Sequence, residues 1–392
     1  MRRLGSLTLA LACATIALGV GGCSDRSDGL TTTQSEVVVA SEAAPTTTTT
    51  LPPLTPDSWL NLDPSVRMPR ARYGHSAAYD PGTEKMIVFG GANYTITGWE
   101  DGPFFQDLWA YDFTSNTWTE LEQTGETPPG RIYASMVYDP ESGRSILFGG
   151  EDHDGPMDDL WSYDPGGSVW ARLQPEGAVP LARSGHTMVY DPVGRQMILF
   201  GGGLEEDLSR NTWSYDPSAN AWTELSPRGA LPAARIGHSM VYDALSERIL
   251  LFGGTARVKQ VDRENDPTGY VDDLWAYDPG SNRWVELRSR GDVPLPREHC
   301  GLVYEPAGAQ LVLFGGRGHR YLELGDTKLC DVQTRTWTWG DSRRSSPMGR
   351  HSMSMVYESV AGVLIVFGGY NDITELNDTW VYVPADYAAA GD

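Results

Sequence analysis

The sequence predicts an all-β chain folded as a six-bladed β-propeller, and three observations carry that prediction. Six arginines are each followed 17 residues later by the phenylalanine of a Phe-Gly-Gly triplet: Arg72/Phe89, Arg131/Phe148, Arg183/Phe200, Arg235/Phe252, Arg297/Phe314 and Arg350/Phe367. A spacing that holds across six copies is the mark of a repeat architecture. Each copy carries strand and turn signals for about four short strands, the content of one blade. A tryptophan also precedes each arginine by 13 residues, as in Trp118/Arg131, Trp170/Arg183, Trp222/Arg235, Trp284/Arg297 and Trp337/Arg350, and Trp59 stands in the same relation to Arg72.

The elements follow in a fixed order. After the arginine a segment closes on Tyr79, Tyr138, Tyr190, Tyr242, Tyr304 or Tyr357, then come a tight turn such as DPGTEK or DPESGR and an apolar run such as MIVF or SILF. That is a hairpin with a buried second strand. A loop of variable length follows Gly-Gly. A second hairpin then opens with DLWAYD (107–112), DLWSYD (159–164), NTWSYD (211–216) or DLWAYD (273–278) and turns at SNTW, GSVW, ANAW or SNRW. The last repeat runs out into PADYAAAGD, with Ala389 where its fourth-strand tryptophan should be. The strand around Trp59 is therefore expected to complete the sixth sheet and close the ring without an open edge.

With repeats of about 50 residues, the Gly-Gly doublet and a second tryptophan nine residues after the first in each later hairpin (Trp109/Trp118, Trp161/Trp170, Trp213/Trp222, Trp275/Trp284), the chain resembles the kelch-repeat propellers over about residues 58–384. The resemblance implies the six-bladed kelch fold but leaves activity open, since that scaffold serves adaptors, sugar-modifying enzymes and copper oxidases. It implies that arginines at these positions hold acidic peptides in some adaptors. The copper oxidases need a tyrosine cross-linked to cysteine and two histidines. Here Cys300 and Cys330 fall on strands, so neither copper chemistry nor any other cofactor is expected.

Residues 1–22 read as a lipoprotein signal peptide: Arg2 and Arg3, an apolar stretch over 7–20, then Val20-Gly21-Gly22-Cys23. The apolar core is too short for a spanning helix of ~20 residues. Val-Gly-Gly-Cys resembles a bacterial lipobox, which implies cleavage before Cys23 and a lipid thioether on its sulfur. Residues 23–57 then form a lipidated, Thr/Pro/Ser-rich disordered stalk, with TTTTT at 46–50 and Pro52-Pro53, and residues 385–392 a flexible tail. The expected location is extracytoplasmic, anchored to the bacterial cell membrane. Removing the signal takes away two arginines and no acid, moving the formal charge from -22 to -24. So acidic a surface argues against nucleic acid as a partner and against lying flat on an anionic bilayer. Cys300 and Cys330 would lie on strands one and three of one sheet, roughly 9–10 Å apart and beyond the ~7 Å limit for a disulfide, and are expected as buried free thiols.

First strands run from the arginine toward the Tyr-Asp turn, so arginines, Gly-Gly doublets and variable loops share one face and tight turns the other. The loop face is the expected recognition face. The N-terminal strand, running as a fourth strand, begins at the tight-turn face, so the 34-residue stalk joins there and the loop face looks away from the membrane. Fully extended, such a stalk reaches about 110 Å.

The entrance arginines Arg72, Arg131, Arg183, Arg235, Arg297 and Arg350 are read as mostly structural, each pairing with an aspartate that opens a third strand (Asp107, Asp159, Asp273, Asp326, Asp378, with Asn211 the exception), and one or two are expected free for ligand. Specificity is expected where the repeat breaks. Blade one inserts residues 92–106, with Tyr94, Trp99, Phe104 and Phe105, and blade four, opposite it, inserts residues 255–272, with Arg257, Lys259, Arg263 and Tyr270. The two would form facing walls, although Phe104 and Phe105 could equally pin their own loop. Blade five supplies the densest titratable cluster: Glu298, His299, Arg317, His319, Arg320 and Tyr321. His75, His186 and His238 share one repeat position and are read as hydrogen-bonding between blades, and no metal site is expected. The acidic run at 151–159 lacks the ligand order of a calcium loop. These readings favour a monomeric binding module for a protein, peptide or glycan. The alternative is a carbohydrate-active enzyme, sugar isomerase-like or lyase-like, with an acid and an arginine in the channel mouth.

Overall fold

In the computed structural model the described residues are 51–64, 67–94, 104–256, 269–340 and 346–387, all in one compact unit. The chain lays down six sheets in sequence, each with four principal antiparallel strands. In blade one these are Ser76–Asp80, Lys85–Phe89, Leu108–Asp112 and Thr117–Glu120, paired in chain order from the centre outward. Blades two to five repeat this order. Blades two and five add a short parallel strand outside the fourth, Thr124–Gly125 and Arg290–Gly291.

Blade six closes the ring. Its first three strands are Ser354–Glu358, Val363–Tyr370 and Glu375–Val383, and the fourth is Ser58–Leu62 from the start of the described chain. Trp59 stands opposite Tyr382 and Asn61 opposite Trp380. The fold is the six-bladed propeller predicted, with the N-terminal strand completing the last sheet.

The second strands, such as KMIVF and RSILF, are buried after their first residue because each is central in its sheet and covered by neighbouring blades on both faces. Fourth strands bury the tryptophan and expose polar residues, which blunts the outer edge. Tight turns are set locally: Asp80 Oδ1 accepts the Gly82 amide at 2.8 Å, and the second hairpins turn on Asn116, Asn220 and Asn282 at φ 46–50°.

The blades are joined by a cycle of aromatic contacts. Each fourth-strand tryptophan packs on the Phe-Gly-Gly phenylalanine of the preceding blade: Trp118 on Phe367, Trp170 on Phe89, Trp222 on Phe148, Trp284 on Phe200, Trp337 on Phe252 and Trp59 on Phe314, with ring centroids 4.5–5.3 Å apart. The strand that closes the ring thus makes the same joint as the other five.

Cys300 and Cys330 are buried and unbridged. No helix among the described residues is long and apolar enough to cross a membrane.

Candidate functional site

The entrance arginines are built into the scaffold. All six are at most 1% exposed. Arg72 donates to Asp107 Oδ1 and Oδ2 at 2.7 Å each, to Gly90 O at 2.8 Å and through Nε to Arg70 O at 3.0 Å. Arg131, Arg235, Arg297 and Arg350 repeat the clamp on Asp159, Asp273, Asp326 and Asp378. Burial alone would raise the Asp107 carboxyl, but the Arg72 guanidinium outweighs it and holds the group below its ordinary value. In blade three Asn211 turns away to Glu224, and Arg183 keeps Gly201 O at 3.0 Å without a carboxylate; its pKa is pushed down to about 10 by burial. The expectation that one or two arginines are free for ligand is corrected: five spend their donors on the clamp, and Arg183, which lacks it, is buried away from the surface.

Two residues after each arginine the backbones meet around the channel. The amide of each blade's residue donates to the carbonyl of the preceding blade's: Gly74 to Ser352, Tyr133 to Gly74, Gly185 to Tyr133, Gly237 to Gly185, His299 to Gly237 and Ser352 to His299, at 2.7–3.0 Å. All six are left-handed, with φ 49–67°. Glycine suits this conformation, and space enforces it at two positions. A Cβ on Gly185 would meet Ile236 at 2.3 Å, and one on Gly237 would meet the His299 ring at 2.9 Å. Blades two, five and six instead place Tyr133, His299 and Ser352 here, each bearing backbone strain of about 1–3 kcal/mol.

These three side chains converge. Tyr133 and His299 stack with centroids 4.6 Å apart, and Tyr133 Oη lies 3.3 Å from Ser352 Oγ. The His299 imidazole is pushed down to about 4, chiefly by burial, with Glu298 opposing. A cavity of about 130 Å³ lies against this ring, lined also by His186 and His238. At the tight-turn end the channel widens to about 470 Å³ between Tyr138, Tyr190, Tyr242, Tyr304 and their apolar neighbours.

Around the loop-face mouth stand the residues flanking the ring. Glu298 accepts from Thr255 Oγ1 at 2.6 Å and from Tyr270 Oη at 3.2 Å. Ser184 Oγ donates to Glu151 at 2.6 Å. Glu323 brings Oε2 to 3.0 Å from His351 Nδ1. The Arg317 guanidinium lies over the Tyr321 ring at 4.5 Å.

Of the residues singled out from sequence, Glu298, His299 and Arg317 line this mouth. Arg320 and Tyr321 sit on an exposed tip with left-handed backbone, and His319 lies beside them. Two candidates are corrected. Phe105 is buried beneath the Arg72 guanidinium, 4.4 Å from ring to cation, and Tyr270 is buried with its hydroxyl on Glu298, so both serve the scaffold. Phe104 is half-buried between Tyr94 and His153. Trp99, Arg257, Arg263 and the rest of 95–103 and 257–268 lie outside the described residues, as does Cys23. The histidine reading is corrected in part: His75 Nε2 meets Ser354 of blade six at 2.7 Å, whereas His186 and His238 meet the preceding blade ring to ring, on Phe148 and Phe200. Glu298, already engaged, and His299, stacked under Tyr133, form no acid-base pair, and the enzyme alternative finds no support. Among the described residues no group of three or more histidine, cysteine or acidic side chains is placed to hold a metal. Sequence reasoning missed Tyr133, Ser352, Glu323, His351 and Tyr370. The signal for the first two was present, since the position two after the arginine reads Gly, Tyr, Gly, Gly, His, Ser.

Residues 40–254 and 168–369 match the family model described as the KLHDC2/KLHL20/DRC7 Kelch-repeats domain. The chain belongs to the kelch-repeat family. Among its curated relatives, Kelch domain-containing protein 10 of Rattus norvegicus is 26% identical over 350 residues, covering 82% of this chain and 78% of that protein. Acyl-CoA-binding domain-containing protein 4 of Arabidopsis thaliana is 27% identical over 331 residues, covering 80% of this chain. Host cell factor 2 of Homo sapiens is 28% identical over 272 residues, covering 64%. This kelch chain spans 45% of the length of the Arabidopsis protein and 31% of the human one.

Proposed function

We propose that this kelch propeller is a protein-interaction module that seats its partner at the loop-face mouth of the channel. The observation that carries the reading is the departure from glycine at Tyr133, His299 and Ser352. Three strained residues converge where the repeat offers glycine, and strain of this kind gathers at functional sites. Family membership supports a binding role, because kelch propellers generally serve as interaction scaffolds. Anchoring through a lipid on Cys23, with an extracytoplasmic location, belongs to the same proposal. Its support is the order of Arg2-Arg3, the apolar stretch and Val-Gly-Gly-Cys. Metabolic labelling with a palmitate analogue tests the anchor: label on the wild-type chain that is lost in Cys23→Ser supports it, and unchanged labelling refutes it.

The binding role is tested by panning a random displayed-peptide library on the full chain and competing the captured peptides with surface variants. Capture lost in Tyr133→Gly but retained in the tight-turn variants Val193→Asp and Leu245→Asp supports the reading. The reverse pattern, or capture indifferent to Tyr133, refutes it.

A further inference from the structure

Resting on that reading, we infer that the loop-face mouth is built for a cationic side chain, a lysine or arginine presented by a peptide segment of the partner. Five aromatic rings form a closed circuit there. Tyr73 lies 6.2 Å from Tyr133, Tyr133 lies 4.6 Å from His299, His299 lies 6.4 Å from His351, His351 lies 5.7 Å from Tyr370, and Tyr370 lies 6.1 Å from Tyr73. Blades one, two, five and six contribute to it. The circuit crosses the channel through the Tyr133–His299 stack. Its three tyrosine rings, Tyr73, Tyr133 and Tyr370, attract a cation through their quadrupoles, most strongly when it is desolvated.

Carboxylates surround the rings. Glu151, Glu298, Glu323 and Glu375 come from the loop-face segments of blades two, five and six, and the guanidinium of Arg317 stands among them. Glu323 decides the sign of the ligand. Its side chain is 9% exposed, its Oε2 faces the His351 ring of the circuit, and its Oε1 has no hydrogen-bond donor among the described residues. A buried carboxylate oxygen without a donor costs free energy that an incoming ammonium or guanidinium restores. Arg317 argues for a peptide rather than a bare cation. It faces Glu323 across a short antiparallel bridge, and its buried Nε has no acceptor among the described residues. A basic residue on a chain offers both missing partners, N–H donors from its side chain and a carbonyl oxygen from its backbone. Arg317 over Tyr321 further places a guanidinium against an aromatic face in this same mouth.

The test uses the full chain and a fluorescein-labelled Gly/Ser nonapeptide bearing three lysines, with norleucine and glutamate counterparts, read by fluorescence anisotropy. The lysine peptide is expected to bind at least about tenfold more tightly than either counterpart. Glu298→Gln/Glu323→Gln should lose about tenfold, while Glu205→Gln/Glu206→Gln, which removes two exposed charges from the same face away from the rings, should stay within about twofold. Equal losses in the two double variants would reduce the effect to long-range charge and overturn the inference, as would equal binding of the norleucine peptide. If melting shows Glu323→Gln to be unfolded, Glu298→Gln and Tyr370→Leu carry the same comparison. Library peptides without basic residues that bind in a Tyr133-dependent way would sink the cation and spare the docking face; no Tyr133-dependent capture at all would sink both.

Discussion

Tyr133 of blade two and His299 of blade five, half a ring apart, stack across the channel with centroids 4.6 Å apart and planes inclined by 29°. Both hold a left-handed backbone, φ 55° and 49°, at a position where Gly74, Gly185 and Gly237 serve other blades. The backbone hydrogen-bond ring needs the conformation but not the side chains. Those two rings are therefore additions to an architectural feature, and the proposed recognition site is built on them.

The ring-closing joint sets the largest structural prediction. Trp59 packs on Phe314, and its Nε1 donates to Thr327 Oγ1 at 2.9 Å, as Trp118 does to Thr379 at 3.0 Å. Trp59→Ala should cost about 3–5 kcal/mol in urea unfolding, matching Trp118→Ala. A loss near zero for Trp59 alone would mean that the sixth blade stands without its fourth strand.

The arginine clamps predict opposite effects in two blades. Asp159→Ala leaves the Arg131 charge buried and uncompensated and should cost about 3–5 kcal/mol. Blade three lacks the carboxylate. Trp213 Nε1 has no partner among the described residues, whereas Trp109 donates to Asp107 at 2.7 Å. Asn211→Asp/Glu224→Gln supplies the acceptor without a like-charge neighbour and should stabilise by about 1–2 kcal/mol, read as a raised urea midpoint.

Fold and site were unequally legible in the sequence. Invariant spacing fixed blade count, closure and the Arg72–Asp107 type of clamp, because each repeat meets the same neighbours and so reveals its contacts through recurrence. The mouth is made of exceptions. Glu298, His299 and Arg317 stood out by their titratable chemistry, but Tyr133 and Ser352 were hidden in a column of glycines. Tyr370 becomes a neighbour of Tyr73 through circular closure, which brings the last blade beside the first. Phe105 was left open between ligand wall and loop anchor, because an aromatic in a long insert fits both, and it is buried under Arg72.

Acid should destabilise the fold over a defined window. His299 is pushed down to about 4 and His75 and His186 to about 3, and His238 is lowered as well, all mainly by burial. Each is neutral when folded and protonates near 6.5 when unfolded, so unfolding takes up protons below that pH. Stability should be flat above about pH 7 and fall as pH drops through about 6.5 toward 4, with an uptake of up to about four protons. Urea titrations at several pH values check this, and His299→Gln should reduce the uptake by about one. A pH-independent midpoint over the window would contradict it.

The thiols of Cys300 and Cys330 are pushed up by burial, Cys330 to about 12. Iodoacetamide should leave both unmodified in the native chain and label both after unfolding without reductant, as read by peptide mass spectrometry. Resistance to labelling in the unfolded, unreduced chain would indicate a disulfide.

The decisive measurement is the affinity of library-selected peptides for Tyr133→Gly/His299→Gly/Ser352→Gly, which gives all six blades the same residue at the hydrogen-bonded ring. The predicted result is a melting temperature within a few degrees of wild type together with at least about a tenfold loss of binding. A folded triple variant that binds as tightly as the wild type would contradict the assignment of the channel mouth as the recognition site.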